Sequence, residues 1–282
     1  MTTRQALVLG GGGVAGIAWE TGVLAGLADA GVDVSGADTI LGTSAGATVA
    51  AQLTSGLPVG ELLRRQVEPG LQAQEIVPTV SLDEVMDEVM RLYQDAADLG
   101  ELRRRIGAFA LAADTVPEET RRAVIASRLP AHTWPKRPIA VTAVDAHSGE
   151  PRVFDRDSGV DLVDAVAASC AVPGVWPPVT IDGSRYVDGG VRSMTNADLV
   201  AGYERVLVLA AMAGQADPAL PEQLTLLEQT GRVEMIAPDD ASTAAMGADP
   251  LDPEVRTPSA QAGYAQGKQV AATVAKLWDR AA

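Results

Sequence analysis

Residues 38–53, Asp38-Thr39-Ile40-Leu41-Gly42-Thr43-Ser44-Ala45-Gly46-Ala47-Thr48-Val49-Ala50-Ala51-Gln52-Leu53, join a short apolar run to a run of small residues with no linker between them. Asp38 to Leu41 predicts a buried strand, and Ala45 to Leu53 predicts a helix that packs closely on a sheet and closes near Gly56. The join, Gly42-Thr43-Ser44-Ala45-Gly46, fits the pattern G-x-S-x-G in the strand-to-helix context that the pattern requires. Such a turn forces strained dihedrals on its central serine, so side-chain-free residues are needed two positions away on either side. Ser44 is then at a helix N-terminus, where unpaired amides and the helix dipole favour developing negative charge. A plain helix N-cap by Thr43 or Ser44 would use the same residues.

Toward the N-terminus the same design recurs. Gln5 to Leu9 reads as a short buried strand, Gly10 to Gly13 as a tight turn, and Ile17, Thr21, Leu24 and Ala28 fall at helical spacing until Gly31. Two chemistries fit this turn. Gly11, Gly13 and Gly16 satisfy G-x-G-x-x-G, which with Asp33 or Asp38 as the ribose-binding acid would make a dinucleotide site. Alternatively, the bare amides of Gly11, Gly12 and Gly13 converge on a tetrahedral oxygen as an oxyanion hole.

Toward the C-terminus, residues 59–129 carry helical periodicity and frequent charge, which predicts three or four amphipathic helices forming an insert. Strands are expected at Pro138 to Val144, Arg152 to Phe154, Arg205 to Ala210 and Arg232 to Ile236, with helices between them. Pro238 to Pro258 reads as a helix or turn followed by a loop, and Ser259 to Ala281 as a closing helix. The alternation argues for an α/β fold with a mostly parallel sheet covered on both faces, within one domain spanning residues 1–282. Functional sites in such sheets lie at the carboxyl ends of strands, where both glycine turns fall. Asp188-Gly189-Gly190 follows Tyr186-Val187, which places a further carboxylate at a strand end; alone it reads as a reverse turn.

Composition narrows the function. The 282 residues carry 22 Lys and Arg against 37 Asp and Glu, a formal net charge of −15, which opposes nucleic-acid binding and attraction to anionic bilayers. Cys170 is alone, and His132 and His147 are the only histidines, so neither a disulfide nor a His/Cys metal site is expected. Asp239, Asp240, Asp249 and Asp252 lack calcium-loop spacing. Arg103-Arg104-Arg105 reads as a solvated helix face. The apolar run Ala6 to Trp19 imitates a secretory segment but is broken by four glycines and ends at Glu20, and no window approaches the ~18–20 apolar residues of a spanning helix. A cytoplasmic home follows as the expectation. Lysine at only positions 136, 268 and 276, beside many arginines, suggests a bacterial source of high genomic GC content.

In order, Gly11-Gly12-Gly13-Val14-Ala15-Gly16, Gly42-Thr43-Ser44-Ala45-Gly46 and Asp188-Gly189-Gly190, with Ala168-Ser169-Cys170-Ala171-Val172-Pro173 and Trp176-Pro177-Pro178-Val179 ahead of the last, resemble the patatin-like phospholipase family. The resemblance runs from about Ala6 to Leu209 and implies a three-layer patatin-like sandwich. It also implies a metal- and cofactor-independent acyl ester hydrolase acting on a lipid or small ester. Ser44 and Asp188 would be its catalytic dyad, Gly11 to Gly13 its oxyanion hole, and Gly42, Thr43, Ala45 and Gly46 the frame of the nucleophile. Transient membrane contact is compatible with it. Two departures stand out: Ala15 replaces the family's usual Arg or Lys, and Thr195-Asn196-Ala197 lacks the family's proline, Asn196 reading as a helix cap. The alternatives are the dinucleotide-binding protein above and a catalytically silent lipid-binding relative.

Overall fold

The computed structural model describes residues 3–212 and 217–278. In chain order its elements are β1 (Gln5–Leu9), α1 (Gly13–Asp29), β2 (Thr39–Thr43), α2 (Ala45–Leu53), α3 (Val59–Val67), α4 (Leu82–Asp95), α5 (Leu99–Ala112) and α6 (Glu118–Arg128). They continue with β3 (Ile139–Asp145), β4 (Pro151–Phe154), α7 (Leu162–Ser169), β5 (Val179–Ile181), β6 (Ser184–Asp188), β7 (Arg205–Leu209), α8 (Leu220–Glu228), β8 (Arg232–Ile236), α9 (Asp240–Met246) and α10 (Arg256–Trp278). The sheet order is β5-β6-β3-β2-β1-β7-β8, with β4 also bonded to β3. From β3 to β8 the neighbours are parallel; β4, β5 and β6 add an antiparallel margin.

The central strands are mostly apolar on both faces because both are covered. Leu7, Leu9, Ile40, Leu207 and Leu209 face one side, packed with Trp19 of α1, Ala47 of α2, Val166 of α7 and Val274 of α10. Ala6, Val8, Leu41, Val206 and Val208 face the other, against Leu220 and Leu227 of α8 and Val200 of a 3-10 turn, Ala197–Val200. The result is the expected α/β sandwich of helices, mostly parallel sheet and helices. Helices α1 and α10 touch backbone to backbone: a Cβ added at Gly22 would lie 2.2 Å from the Ala260 carbonyl oxygen.

Between α2 and β3 the chain forms α3 to α6. Ile125 of α6 joins the main core, Ala110 of α5 packs on Val144 and Val187, and Val85 of α4 meets Trp176 and Leu251. Two expected boundaries move. Strand β2 runs on to Thr43 because Gly42 and Thr43 keep pairing with Val141 and Thr142, and α10 starts at Arg256, ahead of Ser259, after a turn begun by Pro253. The end of that helix as expected, residues 279–281, lies outside the described residues.

Candidate active site

Ser44 is the one-residue hinge between β2 and α2, with φ 53 and ψ −111. Few L-residues hold such a conformation, which costs on the order of 1–3 kcal/mol and persists only where the surroundings enforce it. They do so here. A Cβ at Gly46 would lie 2.0 Å from the Leu9 carbonyl oxygen and one at Gly42 2.5 Å from the Gly46 carbonyl oxygen, so the turn is locked between β1 and its own helix. The Gly46 amide donates to the Gly10 carbonyl at 2.9 Å. The Ser44 amide donates to the Ser169 hydroxyl oxygen at 2.9 Å, while the Cys170 thiol donates to the Ser44 carbonyl at 3.2 Å. The backbone is therefore pinned from α7 on both sides, leaving the Ser44 hydroxyl unclaimed by any cap. Ser169 was part of the quoted sequence stretch, but nothing local revealed this role.

Asp188 reaches the same place through β3: Thr43 pairs with Thr142 and Asp188 with the next residue, Ala143. The strand carrying the serine and the strand carrying the carboxylate thus end side by side although far apart in sequence. Asp188 is 4% exposed; its Oδ1 accepts from the Gly190 amide at 2.8 Å and its Oδ2 is buried without a partner. Burial raises the carboxyl to about 7, against opposing pulls from the Gly190 amide and, more weakly, the Ser44 hydroxyl. No bond of normal geometry joins the two side chains in this resting state; catalytic hydrogen bonds commonly tighten only with substrate bound.

Asn196 holds the two strand ends together. Its Nδ2 donates to the carbonyls of Ser193 at 2.6 Å and Gly189 at 3.2 Å and to the Thr43 hydroxyl at 3.1 Å. The Thr43 and Thr142 hydroxyls bond each other at 2.9 Å. The reading of Asn196 as a helix cap is corrected: it occupies the cap position of the 3-10 turn, but its side chain caps nothing there. Its left-handed backbone, φ 51, suits Asn better than most residues and turns the amide toward the site.

The glycine turn is adjacent: a Cβ at Gly11 would be 3.6 Å from the Ser44 Cβ. The expectation that three amides point at the reacting centre needs revision, because the Gly11 amide already donates to the Met194 carbonyl at 2.7 Å. Among the described residues no acceptor faces the amides of Gly12, Gly13 or Ala45. Those of Gly13 and Ala45 open α1 and α2, so two helix N-termini converge here. The geometry does not assemble a dinucleotide site. Asp33 bonds the Ser35 amide and Asp38 the Gln5 amide, both at the amino ends of the strands, opposite the glycines.

Ser44 borders a small pocket with Gly13, Val14, Arg121, Arg128, Cys170 and Trp176 among its walls. Cys170 is buried, and burial pushes its thiol up, consistent with a packing role. His132 and His147 are exposed, the former facing the Ala126 carbonyl at 2.9 Å. Arg103 donates to the Gly149 carbonyl and Arg105 pairs with Glu101. Asp239, Asp249 and Asp252 accept from nearby backbone amides. Among the described residues no helix is long and apolar enough to cross a membrane.

A serine on a strained strand-to-helix turn, a buried carboxyl group beside it and unpaired amides opposite thus lie together at the carboxyl ends of the central strands of an α/β fold. The patatin-like phospholipase model matches residues 7–201, and the chain belongs to that family. Among solved structures, it is similar to VipD from Legionella pneumophila at 12% identity, covering 97% of this chain and 67% of that one with a TM-score of 0.48. It is also similar to ExoU, solved with SpcU from the type III secretion system of Pseudomonas aeruginosa, at 16% identity and a TM-score of 0.41. There the match covers 99% of this chain and 53% of that one, so this chain spans about half the length of ExoU.

Proposed function

We propose that the protein is a lipid acyl ester hydrolase that uses a Ser44–Asp188 dyad and an acyl-enzyme intermediate. The observation that carries this reading is the register on β3, which sets the Asp188 carboxylate beside the strained serine, in surroundings that bring its pKa to about 7. A carboxylate of ordinary acidity would be a feeble base toward a hydroxyl; one near 7 is matched to proton transfer at neutral pH.

In this mechanism Ser44 Oγ attacks the acyl carbonyl as Asp188 takes its proton. Negative charge gathers on the former carbonyl oxygen, where the amides of Gly12 and Gly13 and the α2 N-terminus stabilise it. Each such donor is worth roughly 3–4 kcal/mol in comparable sites. Asp188 then protonates the departing alkoxide, and in the second half it deprotonates the water that attacks the acyl-enzyme and releases Ser44. Gly11 takes part through position: its amide ties the turn to Met194, and its missing side chain leaves room for the Met194 side chain, whose Cε lies 2.6 Å from where a Cβ would stand. The whole chain acts as one hydrolase unit, with the insert of about residues 59–129 walling the substrate cavity.

Reaction with a fluorophosphonate tests the reading. Stoichiometric labelling that is abolished in Ser44→Ala supports it; labelling that persists in that variant, or an unlabelled wild-type protein, removes it.

A further inference from the structure

Arg121, on the inward face of α6, shares the cavity wall with Ser44 and is only 5% exposed. Its guanidinium stacks on Trp176, 3.9 Å from the ring centroid, yet its Nε and Nη1 have no hydrogen-bond partner, and neither does the indole Nε1 of Trp176. Its Nη1 lies 3.9 Å from the Glu75 carboxylate, and that group is already taken. Arg128 grips Glu75 through two bonds of 2.9 and 2.5 Å, and Arg256 bonds it at 2.6 Å. All four side chains are buried to 94% or more.

Three guanidinium groups therefore share one carboxylate, leaving a buried formal surplus of +2 inside a protein whose total is −15. Burying charge without a counter-ion costs several kcal/mol per ion even after relaxation, and unpaired donors in an interior call for a ligand or ordered water. An adjoining pocket shares Arg128, with Gln52, Arg65 and Gln66 among its polar lining residues. Its orphan atoms are the Arg65 Nε and a single acceptor, Gln52 Oε1. Val14, Ile17, Val172 and Leu251 give a hydrocarbon chain an apolar wall beside Ser44, but such a chain offers the guanidinium groups no acceptor. A planar or tetrahedral oxyanion would meet the fork of Arg121, and such charge-assisted bonds are among the strongest available.

We propose that this cavity is an anion-binding subsite in which Arg121, backed by Arg128, holds a carboxylate or phosphate carried by the ester that Ser44 attacks. This rests on the hydrolase reading for the word ester, although the anion site itself does not.

Binding to the full chain carrying Ser44→Ala, measured by calorimetry with inorganic phosphate and with succinate, tests the site without turnover. Saturable one-site binding of at least one anion is expected, weakened ~10- to 100-fold by adding Arg121→Gln. Arg121→Lys, which keeps the charge but loses the fork, should be intermediate and carries the test should the glutamine variant not fold. Turnover then distinguishes sources: p-nitrophenyl hemisuccinate places a carboxylate on the acyl side, a lysophospholipid places phosphate on the alcohol side, and p-nitrophenyl butyrate has neither. In Arg121→Gln the kcat/KM ratio of the anionic ester to the butyrate should fall by a similar factor for the side that the site serves. Absence of binding for both anions, or binding insensitive to both Arg121 variants, overturns the proposal. Ester hydrolysis with no anion binding sinks this inference alone; Arg121-dependent binding with no labelling of Ser44 sinks the hydrolase reading alone.

Discussion

Replacing Asp188 by Asn should abolish turnover and at the same time stabilise the protein, by an amount that depends on pH in a defined direction. The gap between about 7 in the folded chain and the ordinary 3.8 corresponds, at ~1.4 kcal/mol per tenfold change in acidity, to about 4 kcal/mol held against the ionised form. Because the folded pKa is raised, the favourable contribution of Asp188 is complete below pH ~3.8. It declines as pH rises, since the unfolded chain releases its proton first, and is gone above pH ~7. The amide of Asn mimics the protonated acid: it can keep the bond from Gly190 and present Nδ2 toward Ser44. Wild type and Asp188→Asn should therefore have similar stability near pH 4. The variant should gain steadily through pH 7 and level off above it, with 4 kcal/mol as the ceiling and about 2 expected once the repacking of the amide is allowed for. At ~2–4 °C per kcal/mol for chains of this size, that is a Tm increase of roughly 4–8 °C at pH 8.5. The measurement is a pair of thermal unfolding series from pH 4 to 9, with ester hydrolysis assayed on the same samples and expected to fall by ~10²–10⁴. A variant that unfolds at or below the wild-type temperature at pH 8.5, or a difference that does not grow with pH, would refute the claim that the site holds its base against solvation.

The same carboxyl group should give kcat/KM an acid limb near pH 7, with activity rising as Asp188 loses its proton; an acid limb near pH 4 in a steady-state profile would contradict this. Asn196→Ala removes the donors to Ser193, Gly189 and Thr43 and should cost ~2–4 kcal/mol in chemical denaturation, with kcat falling more than KM changes. Gly46→Ala drives a methyl group into the Leu9 carbonyl and should cost ~3 kcal/mol or more, or prevent soluble expression. His132→Ala and His147→Ala should each leave turnover within about threefold of wild type, and a loss of ~10³ in either would point to a histidine base in place of Asp188.

What the chain discloses locally and what it hides can be separated residue by residue. Ser44 was legible because its constraint is local: Gly42 and Gly46 lie within two positions, and the strand-to-helix context follows from apolar runs on either side. The sheet was legible for the same reason, since strands buried on both faces write continuous apolar sequence. Asp188 was legible only through the order of three motifs, because the pairing of β6 with β3 leaves no mark in Tyr186-Val187-Asp188 itself. The commitment of the Gly11 amide to Met194 and the reach of Asn196 across to Thr43 depend on partners far along the chain. Arg121 and Arg128 belong to the charge-rich stretch 59–129, and only the packing of α6 against Trp176 and Glu75 shows which of its charges turn inward.

The most direct test of the central claim is to quench a reaction with p-nitrophenyl butyrate in acid during the first turnover and map the protein by peptide mass spectrometry. The account predicts a p-nitrophenol burst equal to the enzyme concentration and one butyryl group, located on the peptide containing Ser44. Turnover with no acyl adduct at any time point, or an adduct on a different residue, would contradict it.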